Sequence, residues 1–339
     1  MKIFFILTFT FIFILTPSLT LSQDYLIKFA TVAPEGSTWM KVMREYDQAV
    51  RKESNGRLGF KIYPGMVQGD EKDVLRKIKL GQLHSAGITG VGMTSIAPKV
   101  RILDSPFLFR NYEEVDLIYN KYSDELNKAI EEGGFINLGW AEVGFVYVFT
   151  KVPIKSTDEL KNIKLWMWEG DPIAEAAFRA MDIKPIPLTI HEVQTSLQTG
   201  LIDGVYSSPL AAIALQWFSN VKFMLKTSLA NSMGAVVVSK KKFDDLPQDL
   251  QEILLRNGKK YMEKLIKLSR EDNEKAIETL KKNGIKIIDT PGLSSQEYYE
   301  AIGKKAREYL VGKLYPADLL ARIEKTISSF REGKNKSSQ

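Results

Sequence analysis

From Tyr25 onward, extended segments alternate with helical ones, and that alternation leaves few folds open. Tyr25 to Val32 has the pattern of a strand and runs into Ala33-Pro34-Glu35-Gly36. A helix is predicted from about Ser37. Trp39, Val42, Met43, Tyr46 and Val50 fall at i, i+3, i+4, i+7 and i+11, one apolar face. Asn55-Gly56 ends it. Leu58 to Tyr63 reads as a second strand, Asp70 to Leu80 as a second helix closed by Gly81, and Ser85 to Thr89 as a short buried strand. This βαβαβ order predicts a parallel sheet flanked by helices.

Phe135 to Thr150, rich in aromatics and Val, reads as one long strand that crosses into a second domain. Ile163 to Trp168 is a further strand. Asp171 caps the next helix, with Pro172 in its first turn, where proline is tolerated. Thr189-Ile-His-Glu192 has the form of a capping box and opens a helix that Gly200 ends. Asp203 to Ser207 is a short strand, and Gly234 to Lys240 returns as a strand to the first domain. Pro247 to Asn283 then reads as one helix of roughly 55 Å, too long for one small domain and so expected to run along both. Gly284 ends it, Ile285 to Asp289 is a strand, Ser294-Ser-Gln-Glu297 caps another helix, and residues 317–331 form the last. The expected division is residues 23–148 plus 234–265 as lobe I, 149–233 plus 266–332 as lobe II, and 333–339 as a flexible polar tail. Two α/β lobes joined by extended crossings resemble a hinged clamp.

The first residues carry an export signature. Lys2 precedes a run, residues 3–16, that is apolar apart from three Thr, and Pro17-Ser18 breaks it. Thr20 and Ser22 stand as small residues at the −3 and −1 positions of a cleavage site, giving a signal peptide of residues 1–22. The run falls short of the ~20 residues a membrane span needs. In 339 residues there is no Cys, which removes thiol nucleophiles, disulfides, iron–sulfur clusters and Cys-ligated zinc. The net charge of +6 comes from interleaved acidic and basic residues, so no nucleic-acid partner is expected. An exported, Cys-free soluble chain fits a bacterial periplasm.

Catalytic signatures are missing: there is no GxGxxG, GxxxxGKS, GxSxG or HExxH. His84 falls in a loop and His191 inside the capping box. Gly87, Gly90 and Gly92 around Thr89 lack the spacing of a phosphate cradle and read as close packing at a strand end. No cofactor, metal site or enzymatic activity is expected. An Asp/Glu-based hydrolase or isomerase would need two carboxylates facing one cleft, and no motif demands that.

Several stretches resemble the DctP-type solute receptors of tripartite ATP-independent periplasmic (TRAP) transporters. They are Ser54-Asn-Gly-Arg-Leu58 leading into Ile62-Tyr-Pro64, Gln68-Gly-Asp-Glu71, Lys79-Leu-Gly-Gln-Leu83 and Leu103-Asp-Ser-Pro-Phe-Leu-Phe109. Leu160-Lys-Asn-Ile-Lys164, Glu192-Val-Gln-Thr-Ser-Leu-Gln-Thr-Gly200, Ile202-Asp-Gly204 and Leu246-Pro-Gln-Asp-Leu-Gln-Glu-Ile253 complete the set. The resemblance implies a periplasmic binding protein-like fold of two α/β lobes with a hinge, one buried small-molecule ligand, and delivery to the permease subunits of a TRAP transporter. A sensory or interaction role on the same fold stays open, as does the oligomeric state. Such receptors usually carry an Arg just after a GLKI stretch, where it pairs with a ligand carboxylate. Here Ile163-Lys164-Leu165 is followed by Trp166. A second Arg often follows a GF pair, and here Gly144-Phe145 is followed by Val146. A bidentate Arg recognises a planar carboxylate, whereas Trp has one donor and a large apolar face, and Val has neither donor nor charge.

The candidate ligand-binding residues are therefore Trp39, Gln68, Thr89, Trp140, Glu142, Phe145, Val146, Trp166, Trp168, Tyr206 and Ser207. Trp166 and Trp168 stand two apart on one strand and share a face. Aromatic walls suit an apolar or aromatic solute. A cation with Glu142 as counter-charge, or a carboxylate served by Lys151, Arg101 or Arg179, is the alternative.

Overall fold

The computed structural model describes residues 25–290 and 292–337, so the expected signal peptide lies outside the described residues. In the first part of the chain come β1 (Tyr25–Thr31), α1 (Thr38–Glu53), β2 (Leu58–Tyr63), α2 (Glu71–Lys79), β3 (Ser85–Thr89) and α3 (Gly90–Met93). A 3-10 helix over Pro98–Asp104 leads to α4 (Tyr112–Glu132) and β4 (Phe135–Thr150). The middle holds α5 (Thr157–Lys161), β5 (Trp166–Trp168), α6 (Pro172–Ala180), β6 (Ile186–Leu188), α7 (Val193–Thr199), β7 (Gly204–Ser207) and α8 (Pro209–Ala214). The rest is β8 (Phe223–Ser239), α9 (Lys240–Asp244), α10 (Gln248–Lys282), β9 (Lys286–Ile288), α11 (Gln296–Leu310) and α12 (Ala317–Ser337).

The expected two-lobed α/β clamp is the fold observed. The main sheet runs β2-β1-β3-β8-β4-β7, with β9 also on β8, and β5-β6 form a small separate sheet. β1 pairs in parallel with β2 and β3, as the alternation requires. The sheet is mixed rather than wholly parallel, because β8 enters antiparallel beside β3, with Thr89 opposite Gly234. β4 and β8 pair over almost their full lengths and pass from one lobe to the other. In lobe I, Phe135–Glu142 face Met233–Ser239; in lobe II, Tyr147–Thr150 face β7 on one side and the start of β8 on the other. Register breaks cluster between Glu142/Gly144 and Val146/Tyr147, where a bulge lets a paired ribbon bend. β8 begins eleven residues before the expected Gly234, because Lys226, Thr227, Ser228 and Asn231 interrupt the apolar pattern.

The long helix α10 spans about 52 Å. Leu250, Leu254, Met262 and Leu265 pack in the lobe I core, whereas Leu280 joins the core around Trp166. Its approach to β4 depends on two glycines: a Cβ on Gly258 would lie 2.2 Å from the Leu138 carbonyl oxygen, and one on Gly139 2.6 Å from Met262 Cγ.

The last helix departs from the expected division. α12 packs Leu319, Ile323 and Ile327 against Ile118 and Leu126 of α4, in the lobe I core rather than lobe II. Tyr315, whose hydroxyl lies 3.0 Å from Ser105 Oγ, anchors the chain where it turns back after α11. Arg331 clasps Glu114 at 2.8 Å, and the helix continues through Ser337, so residues 333–337 are not an unstructured tail.

Candidate functional site

Between the lobes lies a cavity of about 210 Å³. Lobe I contributes the ends of β1 and β3 and the start of α1, including Thr31, Trp39 and Thr89. Lobe II contributes Trp166 and Trp168 from β5, Tyr206 and Ser207 from β7, and the apolar faces of α6 and α8. Val143, Val146 and Asn231 line it from the crossing strands. Strand ends and helix starts meet here, as at ligand sites of open α/β sheets.

Local structure places each wall. Ser37 caps α1 by accepting from the Met40 N–H at 3.3 Å, which sets Trp39 in the first turn. The outer edge of its ring lies against Gly234, where a Cβ would come within 2.8 Å of Trp39 Cη2. Trp166 is 2 % exposed and its Nε1–H donates to the Leu188 carbonyl of the paired strand at 3.0 Å. Its ring stacks on Tyr206, with centroids 5.0 Å apart and planes at 18°, and meets Trp217 edge-on at 5.1 Å. Trp168 lies 6.1 Å from Trp166. Both indole donors are spent on protein acceptors, so these rings offer the cavity carbon surface.

The lobes touch across the cleft through polar groups at two helix starts. Asp70 caps α2 on lobe I and accepts from Trp168 Nε1 of lobe II at 3.0 Å. Asp171 caps α6 on lobe II and accepts from Arg101 Nη2 of lobe I at 2.8 Å. Lys72 Nζ adds a bond to the Glu169 carbonyl at 2.9 Å. Arg101, 2 % exposed, also donates Nε to Asp104 Oδ2 at 2.8 Å and Nη1 to Thr94 Oγ1 at 2.5 Å. Among the described residues it is the only cation lining the cavity. Gly90 makes room for it, since a Cβ there would lie 1.8 Å from Asp104 Oδ2. Gly92 leaves space for Glu71 in the same way, in keeping with close packing and not a phosphate cradle.

Seven of the candidate residues line the cavity: Trp39, Thr89, Val146, Trp166, Trp168, Tyr206 and Ser207. Four do not. Trp140 packs edge-on against Tyr119 of α4 at 5.6 Å, and Phe145 against Tyr112 at 4.9 Å. Glu142, 0 % exposed, is held by Arg270 at 2.8 Å and Asn231 at 2.7 Å, so it is no free counter-charge for a cation. Trp140 and Phe145 pack in the core that α4 covers, whereas Val143 and Val146 face the cavity. Gln68 accepts from Lys77 Nζ at 3.0 Å, outside the cavity. Of the alternative cations, Lys151 binds the Leu197 and Ile202 carbonyls and Arg179 lies over the Tyr309 ring, neither at the cavity. Trp217, which was not among the candidates, also lines it: α8 stops at Ala214, and Gln216 turns at φ 62° into a 3-10 helix that carries Trp217. Arg101, the third of the alternative cations, does line the cavity; Asp171 was visible only as a helix cap, and nothing in the spacing joins the two.

Glu71 supports the Thr89 loop from behind. It accepts from the Thr89 N–H at 2.8 Å, the Thr89 hydroxyl at 3.0 Å and the Gly92 N–H at 2.7 Å. Burial outweighs these donors and lifts its carboxyl from 4.5 to about 7. The protonated form is thus favoured by folding. The stability it contributes is fully present below about 4.5 and is lost as pH rises through about 7. Glu71→Gln carries no such titration. Urea midpoints between pH 5 and pH 8 are expected to move in favour of the variant as pH rises, relative to the native chain. A constant difference between the two proteins would remove Glu71 as the titrating group.

Comparison with known proteins adds three findings. The family model described as DctP, bacterial extracellular solute-binding protein, family 7, matches residues 29–311. The 2,3-diketo-L-gulonate-binding periplasmic protein YiaO of Escherichia coli is 26 % identical over 83 % of this chain and 86 % of its own, and the C4-dicarboxylate-binding periplasmic protein DctP of Rhodobacter capsulatus is 24 % identical over 78 % and 80 %. A TRAP periplasmic solute binding protein from Pseudomonas putida F1, solved with bound D-glucuronate, superposes with a TM-score of 0.80 at 25 % identity, covering 88 % of this chain and 96 % of that one.

Proposed function

The chain belongs to family 7 of the bacterial extracellular solute-binding proteins, and from that premise we propose that it is an exported receptor that closes its two lobes around one small, uncharged and largely apolar or aromatic solute and presents it to a TRAP permease. The receptor role follows from the family. The character of the solute is our reading of the cavity. Its walls are mainly aromatic and aliphatic, and the one cation on them among the described residues is already held by two carboxylates, Asp104 and Asp171. That last observation carries the reading, because a carboxylate solute would find no unpaired positive charge to pair with. Trp166 and Val146, standing where relatives of this type usually place Arg, supply no charge either. A volume of about 210 Å³ is below the roughly 300–1,000 Å³ of drug-sized ligand sites, which favours a solute of about one ring.

Closure would follow from differential affinity: the solute favours the closed state because it touches both lobes only there. The hinge in this reading is the bulged stretch of β4 and β8.

A second reading has its own support. Arg101 does line the cavity, and the Pseudomonas relative was solved with D-glucuronate. Native mass spectrometry of protein purified without denaturation, followed by denaturing extraction, separates the two. An uncharged or aromatic molecule is expected. Recovery of a sugar acid would overturn the apolar reading and leave the receptor assignment standing.

A further inference from the structure

Arg101 faces the cavity, but each of its three nitrogens already donates to a protein oxygen. Nε is bound to Asp104, Nη1 to Thr94 and Nη2 to Asp171. The two carboxylates differ in kind. Asp104 belongs to the same lobe, and its other oxygen is fastened to the Met233 N–H of β8 at 2.7 Å. Asp171 comes from the opposite lobe and reaches Nη2 across the cleft, where it is itself buried. Capping α6 does not require this choice, since Ser or Asn caps a helix as well as Asp does and neither adds a second buried charge beside Asp104.

We infer that Asp171 is a specificity determinant: it occupies the guanidinium edge that a solute carboxylate would need, and so excludes anionic solutes from the closed cavity. The inference rests on the reading of an uncharged solute given above. A receptor can reject a competitor through a like charge as effectively as it gains the preferred ligand through contacts. Here the like charge comes from the facing lobe. An anion would therefore be refused in the closed state, even where the open lobe tolerates it.

The test compares benzoate with benzamide, two probes of similar shape that differ in charge, by calorimetric titration of the full chain. The native protein is expected to prefer benzamide. Asp171→Ser keeps a capping oxygen but is too short to reach Nη2. It is expected to raise the benzoate-to-benzamide affinity ratio by roughly tenfold or more, since an unmasked Arg makes a charge-assisted pair. Asp171→Asn removes the charge but keeps an oxygen on Nη2, and is expected to shift the ratio in the same direction but less. A well-folded Asp171→Ser protein, with native near-UV circular dichroism and an unchanged ratio, would overturn the inference. If that variant does not fold, an unchanged ratio in Asp171→Asn overturns it equally. A native protein that prefers benzoate would instead sink the uncharged-solute reading itself.

Discussion

Replacing Arg101 with Met is expected to lower stability by about 3–5 kcal/mol, the cost of leaving buried carboxylates without their partner. The side chain is 2 % exposed and joins Asp104, Asp171 and Thr94. Met fills much of the same volume, so the loss is electrostatic and not one of packing. The pH dependence identifies the cause. Burial already lifts Asp104 to about 6 from 3.8 with the arginine in place, and removing the arginine lifts it further. In the variant the folded state then binds more protons than the unfolded state, and stability falls as pH rises. Urea denaturation at pH 5 and pH 8 should show a small deficit at the lower pH and a large one at the higher. A deficit below 1 kcal/mol at pH 8, or one equal at both pH values, would contradict this account.

Trp166→Ala is expected to cost a comparable ~3–5 kcal/mol and to abolish tight solute binding as well. The indole stacks on Tyr206 at 5.0 Å, meets Trp217 at 5.1 Å and lies 6.1 Å from Trp168, so deletion opens a void among three rings that also form the cavity wall. The two effects can be separated. Trp166→Phe keeps a ring but loses the bond from Nε1 to the Leu188 carbonyl. It should recover most of the stability and part of the affinity. The Ala variant should weaken binding of the solute recovered from the native protein by roughly tenfold or more, given what buried aromatic contacts contribute. Unchanged affinity in a folded Ala variant would remove Trp166 from the site.

How much of this was legible in the sequence depended on how local each feature is. β4 was read to its observed ends, Phe135 and Thr150, because aromatic and β-branched residues recur along it despite Asn137, Glu142 and two glycines. The Thr189–Glu192 capping box and the Asp171 cap were read because each is set by residues two or three apart. Trp166 and Trp168 were placed on one face because a strand enforces it. The misplaced β4 residues sit around a bulge, where the register shifts between Glu142 and Gly144. Trp140 and Phe145 looked like cleft residues but pack on Tyr119 and Tyr112 of α4, and Glu142 is taken by Arg270 and Asn231, partners that no short-range pattern announces. The Arg101–Asp171 pair is seventy residues apart in sequence and exists only because two lobes meet.

The crossed caps also bear on time. Asp70 and Asp171 each cap their own helix with the same carboxylate that reaches across the cleft. Parting the lobes therefore leaves both helices capped, so opening is a hinge motion that frays neither. What opening must break is a few bonds across the cleft, each worth about 0.5–3 kcal/mol net once water takes the vacated places. A solute sealed behind them leaves no faster than they release. Its residence time would then report the strength of the latch, and two solutes of different affinity could share one dissociation rate.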